Sequence, residues 1–227
     1  MKIVGVEHNP EFFDKHQQFL EKMITQSDAV MLEGITNGHF WQDIGGFSGS
    51  LSDIACSQQK KIYQADPRTM KTTYIDAAQT AVGLYFMFSP GELSPLYTLP
   101  LALYLTSGTL LGIILRYSPK AIASLKKGTE MSISNNYETL LYGETDYANV
   151  MIAKGISKIS QKSKNVKKLV CFHGEAHSKP IHAYLKHPAF RKFKQLLYLP
   201  TYEPFSETKV REYTSTSEGM WRLSRQI

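Results

Sequence analysis

Four short apolar runs, each followed by polar residues, constrain the fold of this chain more than any other feature. Continuous apolar runs of four or five residues are typical of strands that are buried on both faces of a parallel sheet. In an open α/β sheet, ligands bind at the carboxyl ends of the strands, so the polar residues after these runs are candidates for a site. The runs are KIVGV (2–6), AVML (29–32), KIYQA (61–65) and KLVCF (168–172).

The segment after the first run has the signals of a helix. Asn9 can cap it, Pro10 can occupy its first position, and apolar residues recur at helical spacing between Phe12 and Ile24. Residues 1–32 are therefore predicted to form one βαβ unit.

Three further elements follow from the same rules. Ser178 is predicted to cap a helix over Lys179–Lys186, and the apolar run QLLYL (195–199) predicts another strand. The Gly- and Ser-rich residues 34–58 predict a loop with little regular structure.

Composition limits the class of protein. A chain of 227 residues can bury one sizeable core, so we expect a single α/β domain over 1–227. The net charge is +6, but the lysine-rich residues 154–168 contain no aromatic side chains for base stacking, and no nucleic-acid partner is expected. Two cysteines, Cys56 and Cys171, support neither a disulfide framework nor a zinc ribbon. A reducing compartment, and hence a cytoplasmic protein, is the expectation.

The middle of the chain is unusually apolar, with no charged residue in 77–91 or in 93–115. We expect a helical insertion over about 76–145, between the two halves of the α/β domain. Its helices could be buried, could line a pocket for an apolar substrate, or could form a homodimer contact. The alternative is membrane association through residues 77–115, because the second run is long enough to span a bilayer.

Two related motifs carry the candidate chemistry. GVEHNP (5–10) and GEAHSKP (174–180) both place a Gly-x-x-His directly after a predicted strand and before a predicted helix with an early proline. A histidine at a helix N-terminus lies where backbone N–H groups favour an anion and where its neutral imidazole is favoured. His8 and His177 are therefore predicted site residues, either binding water or holding a metal. Glu7 and Glu175 beside them are either partners of these histidines or solvated loop charges.

Two more strand ends supply charged groups. Glu33 follows AVML and is predicted to be a general base or metal ligand, since carboxylate and imidazole together suit water activation or a divalent cation. Arg68 follows KIYQA and could stabilise an oxyanion, or could simply pair with Asp66. His173 lies on the strand beside the second motif and is an intermediate case. Cys171 is predicted to be a core thiol.

The ordered set Gly5-x-x-His8, Glu33, Arg68 and Gly174-x-x-His177 resembles the pattern of the TraB/PrgY–Tiki superfamily. That superfamily groups with erythromycin esterases and with haem-binding ChaN-like proteins. The resemblance extends over most of the chain but is carried by short motifs only. It implies an EreA/ChaN-like α/β fold with a mainly parallel central sheet flanked by helices, in which the two halves meet at one cleft.

The resemblance also implies a function. Tiki members are metal-dependent proteases and the esterases use His and Glu to activate water, so a protease or esterase is expected here, acting on a peptide or small-molecule substrate. A divalent metal held by His8, Glu33 and His177 is the expected cofactor. The ChaN-like members imply the alternative, a non-catalytic ligand- or haem-binding or regulatory protein. One departure stands out: ETDYANVMIAKGI (144–156) lacks the Arg that many relatives carry before the second Gly-x-x-His.

Overall fold

The structure is a computed structural model that describes residues 1–6, 10–33, 35–36, 39–40, 47–68, 70–88, 144–206, 209–215 and 221–227. Two sheets and six helices are found in these residues. The strands are β1 (Lys2–Val6), β2 (Ala29–Leu32), β3 (Ile35–Thr36), β4 (His39–Phe40), β5 (Lys61–Gln64), β6 (Leu169–Gly174), β7 (Arg211–Ser215) and β8 (Trp221–Gln226). The helices are α1 (Pro10–Thr25), α2 (Phe47–Ser57), α3 (Met70–Phe88), α4 (Glu144–Lys162), α5 (Glu175–Lys186) and α6 (Pro188–Tyr198), with a 3₁₀ helix at Glu203–Phe205.

The main sheet has six strands in the order β1-β6-β2-β5-β7-β8. The first four are mutually parallel, whereas β7 and β8 are antiparallel to their neighbours. The predicted α/β class with a mainly parallel sheet is confirmed. Strands β1 and β2 are parallel as predicted, but β6 lies between them.

Burial explains why the four apolar runs form strands. Every residue of β2 and β6 is buried, so both faces of these strands are covered. Along β6, Leu169 and Cys171 join a core that includes residues of α4, whereas Val170 and Phe172 join a core that includes Leu20 of α1. The sheet is therefore the middle layer of three.

Helix α4 packs unusually close to β5, at Gly155. A Cβ atom added there would lie 2.4 Å from the Cβ of Ala65, a distance that real side chains do not adopt. Because Gly155 has no side chain, α4 can approach the end of β5, which is followed by Asp66 and Arg68.

The predicted strand QLLYL (195–199) is wrong, because residues 195–198 continue helix α6 and Leu199 is its C-cap. Lys194 and Tyr198, four residues apart, both face inward and both donate to Asp146 of α4. Tyr184 of α5 donates to the other oxygen of the same carboxylate, at 2.6 Å. We call Asp146, Tyr184, Lys194 and Tyr198 the helix cluster. Lys194 and Tyr198 have helical spacing, and both contact Asp146. This tertiary contact decides the conformation of a short apolar run that suits either a strand or a helix.

The predicted loop over 34–58 is also wrong in part. Residues Phe47–Ser57 form α2, in which Leu51 and Ala55 are buried one turn apart in the core beside Ile62 of β5. Two short strands, β3 and β4, precede it. Burial of an apolar face outweighs the poor helix propensity of the glycine and serines.

Helix α5 begins earlier than predicted. It starts at Glu175 after Gly174 as N-cap, so Ser178 lies inside the helix and is not its cap. His177 is therefore the third residue of α5 and lies in its first turn, whereas the sequence placed it at the helix N-terminus just before the cap.

Most of the predicted insertion lies outside the described residues, which stop at 88 and resume at 144. Its amino-terminal part belongs to α3. No described helix combines the length and apolar character needed to cross a bilayer.

Candidate functional site

Charged and imidazole side chains from three neighbouring parallel strands meet at the carboxyl edge of the sheet. The register pairs Leu32 of β2 with Phe172 of β6, so the next residues, Glu33 and His173, lie at the same level. Strand β5 neighbours β2 on its other side and leads to Asp66 and Arg68. We call Glu33, Asp66, Arg68 and His177 the edge cluster.

Arg68 joins two carboxylates in this cluster. Its Nε donates to both carboxylate oxygens of Asp66 at 3.0 Å, and its backbone N–H donates to Asp66 Oδ1 at 3.0 Å. Its Nη2 donates to Glu33 Oε1. The two interpretations of Arg68 are therefore compatible: it pairs with Asp66 and also reaches the predicted site carboxylate.

Glu33 is held from two further directions. Its Oε2 accepts the backbone N–H of Gly174 at 2.8 Å, which ties it to the start of α5. Its Oε1 lies 3.4 Å from Nε2 of His177. Burial by itself would raise the pKa of Glu33, but the charge of a protonated His177, the hydrogen bond that this protonated ring donates, and the charge of Arg68 hold that pKa well below its usual value. The carboxylate is therefore ionised at neutral pH and is a weak base.

The ring of His177 is oriented by a residue from α4. Nδ1 of His177 lies 2.6 Å from Oδ1 of the fully buried Asn149. With the amide oxygen facing the ring, a neutral His177 carries its proton on Nδ1, and the lone pair on Nε2 faces Glu33. Only the protonated ring also carries a hydrogen on Nε2, which then donates to Glu33.

His173 lies beside this cluster. Its side chain is 1% exposed, and within the described part of the chain no donor or acceptor reaches either ring nitrogen. Burial lowers the pKa of His173 to about 4, although the negative charge of Glu33 acts in the opposite direction. Its imidazole is therefore neutral at pH 7.

Asp66 is supported from the next strand. Gln64 Nε2 donates to the backbone carbonyl of Asp66 at 2.6 Å, and Arg211 Nε donates to Gln64 Oε1 at 3.0 Å. A hydrogen-bonded chain thus runs from β7 through Asp66 and Arg68 to Glu33 and fixes the direction of the guanidinium.

Three of the four predicted site residues, Glu33, Arg68 and His177, come together in one cluster. The fourth, His8, lies outside the described residues, as does Glu7, and the side chain of Glu175 is not described either. Asn149 was not among the residues predicted from the sequence. The available signal was its place in the segment before the second Gly-x-x-His, but no single residue there had a distinguishing pattern.

Two of the three predicted metal ligands, Glu33 and His177, lie in the described residues. Two ligands about 2.1 Å from one tetrahedral ion lie about 3.4 Å apart, and Glu33 Oε1 and His177 Nε2 have that separation. However, Arg68 donates to the same oxygen, and its charge opposes a cation there. In the described residues no group of three or more His, Cys, Asp or Glu side chains is positioned to hold a metal ion. The metal stays a prediction that depends on His8.

Comparison of the chain with protein-family models, with curated proteins and with solved structures found no match.

Proposed function

We propose that the chain is a hydrolase of an ester or peptide bond, of the kind that the TraB/Tiki resemblance implies, with its reaction centre at the edge cluster. One observation supports this best. His177 is held at Nδ1 by Asn149, and its Nε2 faces the carboxylate of Glu33. An imidazole that is fixed at one nitrogen and available at the other has the arrangement that general-base catalysis requires.

The reaction follows from these roles. A water held by His177 Nε2 and the Glu33 carboxylate gives its proton to Nε2 while its oxygen attacks the carbonyl carbon of the substrate. The proton then passes from Nε2 to the leaving oxygen or nitrogen as the C–O or C–N bond breaks. Glu33 stays ionised throughout, because its pKa is low, and its charge stabilises the imidazolium between the two steps.

The remaining groups have supporting roles. The oxyanion that develops on the substrate is suited to the amino-terminal end of α5, which carries a partial positive charge. Arg68, predicted to stabilise charge directly, is already bonded to Asp66 and Glu33. Its geometry favours a role in holding Glu33 beside His177.

One observation favours the second candidate function, a non-catalytic protein that binds a ligand in the same cleft. Both oxygens of Glu33 already accept hydrogen bonds, from Arg68 and from Gly174. A carboxylate used in this way can shape a binding site without taking part in chemistry.

Turnover measurements distinguish the two functions. We expect wild-type protein to hydrolyse members of a panel of esters and peptides, and His177→Ala to lose a factor of about 10²–10⁴ in rate because the proton acceptor is gone. The metal content of both proteins, measured by elemental analysis, tests the predicted metal at the same time.

His182→Ala is the matched control, because His182 is exposed on the same helix and should be dispensable. Wild-type turnover in His177→Ala would contradict a hydrolase at this site. A wild-type protein that binds a panel member without cleaving any would support the binding function instead.

A further inference from the structure

Helix α6 has its apolar side chains on the outside. Its solvent-facing side carries bulky hydrophobic residues, of which Phe193 is 56% exposed and Leu196 is 65% exposed. Phe190, Leu197 and, just after the helix, Leu199 are each 37% exposed. Lys194, by contrast, is buried.

Polar contacts on the inner side of α6 impose this orientation. Lys194 Nζ donates to Asp146 Oδ2 at 2.8 Å, and Tyr198 donates to the same carboxylate. Arg191 donates to the backbone carbonyl of Ala153 at 3.1 Å and to Ser157 Oγ at 2.7 Å. Positions 191, 194 and 198 share one helical face, so the opposite face, with Phe193 and Leu196, must point outward.

Phe193 and Leu196 form the centre of this exposed apolar face, which we call the ridge, and the surface around it is basic. Residues 176–202 contain no Asp or Glu, and Lys179, Lys186 and Lys192 are exposed. Lys192 lies one turn from Leu196 on the helix surface, so a cation borders the apolar ridge directly.

We propose that α6 binds the surface of an anionic lipid bilayer, with Phe193, Leu196 and Leu197 inserted among the lipid headgroups and Lys186 and Lys192 against the lipid phosphates. Exposed Phe and Leu bordered by Lys is the combination found in interfacial helices. This surface is separate from the edge cluster, and the inference does not depend on the proposed hydrolysis.

Two observations favour a bilayer over a protein partner. In a symmetric pair of chains, α6 would meet its own copy, and the lysines of both copies would face each other with no acidic residue in 176–202 to pair with them. The most exposed side chains, Phe193 and Leu196, protrude from the middle of the helix. They form a ridge, which suits insertion into lipid better than reception of a partner helix.

Vesicle binding tests this inference. We expect the wild-type chain to sediment with vesicles of phosphatidylcholine and phosphatidylserine, less with phosphatidylcholine alone, and less in high salt. Phe193→Glu should weaken binding to the anionic vesicles by at least about tenfold, because it removes a large apolar group and adds a repelled charge.

Phe19→Glu is the matched control, since Phe19 is 58% exposed on α1, away from the ridge, and its binding should equal that of wild type. Phe193→Ser is a milder second variant, should the added charge disturb folding, and its binding should fall in between. No wild-type binding to either vesicle, or equal binding by both Phe193 variants and wild type, would overturn the inference. A stable dimer in light scattering that Phe193→Glu dissociates, without vesicle binding, would overturn it in favour of a second copy.

Discussion

The edge cluster and the helix cluster both hold carboxylates against a cation, yet they have opposite effects on the carboxylate pKa. The pKa of Glu33 is well below its usual value, whereas burial raises the pKa of Asp146 despite the nearby charge of Lys194. The side chains of the Arg68–Glu33 pair are also more exposed to solvent than those of the Lys194–Asp146 pair. The Arg68 side chain is 28% exposed and that of Glu33 is 12%, but Lys194 and Asp146 are exposed by only 6% and 3%.

This difference distinguishes a candidate functional site from a purely structural contact. The edge cluster keeps an ionised carboxylate partly exposed to solvent, where a ligand can meet it, beside an oriented imidazole that is itself buried. The helix cluster is sealed from solvent and joins α4, α5 and α6 through a single carboxylate. Asn149, one turn along α4 from Asp146, contacts His177, so the sealed cluster also supports the helix that orients the site histidine.

The largest effect is expected from breaking the helix cluster. Asp146→Ala should lower the free energy of unfolding by about 3–5 kcal/mol, because it leaves the ammonium of Lys194 buried without its carboxylate. Urea unfolding measures this. The double variant with Asp146→Leu and Lys194→Met should be more stable than Asp146→Ala, since it leaves no buried charge unpaired. A loss below about 1 kcal/mol in Asp146→Ala would mean that the cluster is not sealed and that the comparison fails.

An intermediate effect is expected from the pH dependence of His173, which lies beside the edge cluster. The pKa of His173 falls from 6.5 to about 4 on folding, so between these values the unfolded chain binds the proton more strongly than the folded chain does. Stability should therefore fall as the pH drops from about 6.5 to 4, with a total contribution of about 3 kcal/mol.

His173→Asn removes the titrating group and should flatten this slope in unfolding curves measured from pH 7 to pH 4. His182→Asn, at an exposed position on α5, should keep it. An unchanged slope in His173→Asn would show that His173 does not titrate across this range on unfolding.

The smallest effect is expected from Glu33→Gln, which keeps the shape of the side chain. Arg68 keeps its ion pair with Asp66, and the amide oxygen of Gln can still accept a hydrogen bond from the N–H of Gly174. The free energy of unfolding at pH 7 should therefore fall by about 1–2 kcal/mol. Because the folded pKa of Glu33 is lowered, its contribution is present above its usual pKa of 4.5 and is lost as the pH falls below that value, so wild type and Glu33→Gln should converge in acid. A loss as large as that of Asp146→Ala would abolish the distinction between the two clusters.

The sequence predicted those parts of the molecule in which local pattern and tertiary environment agree. AVML is apolar throughout and lies in the middle of the sheet, so both its conformation and the exit of Glu33 at the strand end followed from its pattern. Arg68 and His177 were found for the same reason.

The rest depended on contacts between distant segments. Asn149 belongs to the site only because α4 packs on α5, and nothing in its neighbouring residues encodes that packing. QLLYL suits a strand or a helix. In α6 the charged Lys194 faces inward and the apolar Phe193 faces outward, which reverses the pattern from which helix faces are normally predicted. In α2, burial of Leu51 and Ala55 overrides the glycine and serines that favoured a loop.

The position of β6 in the middle of the sheet has a consequence for the order of folding. Register joins Lys2 to Val170 and Ala29 to Leu169. Among the described strands β1 therefore pairs only with β6, whereas β2 pairs both with β5 and with β6, which lies far along the chain. On the ribosome β1 therefore leaves the exit tunnel without its partner, and β2 can pair only with β5 until β6 emerges. Loop closure over such a distance is slow, and the edge of AVML that pairs with β6 stays available to chaperones until residue 174 has left the exit tunnel. A chain truncated before Leu169 should accordingly lack a cooperative unfolding transition, and its calorimetric trace would test this.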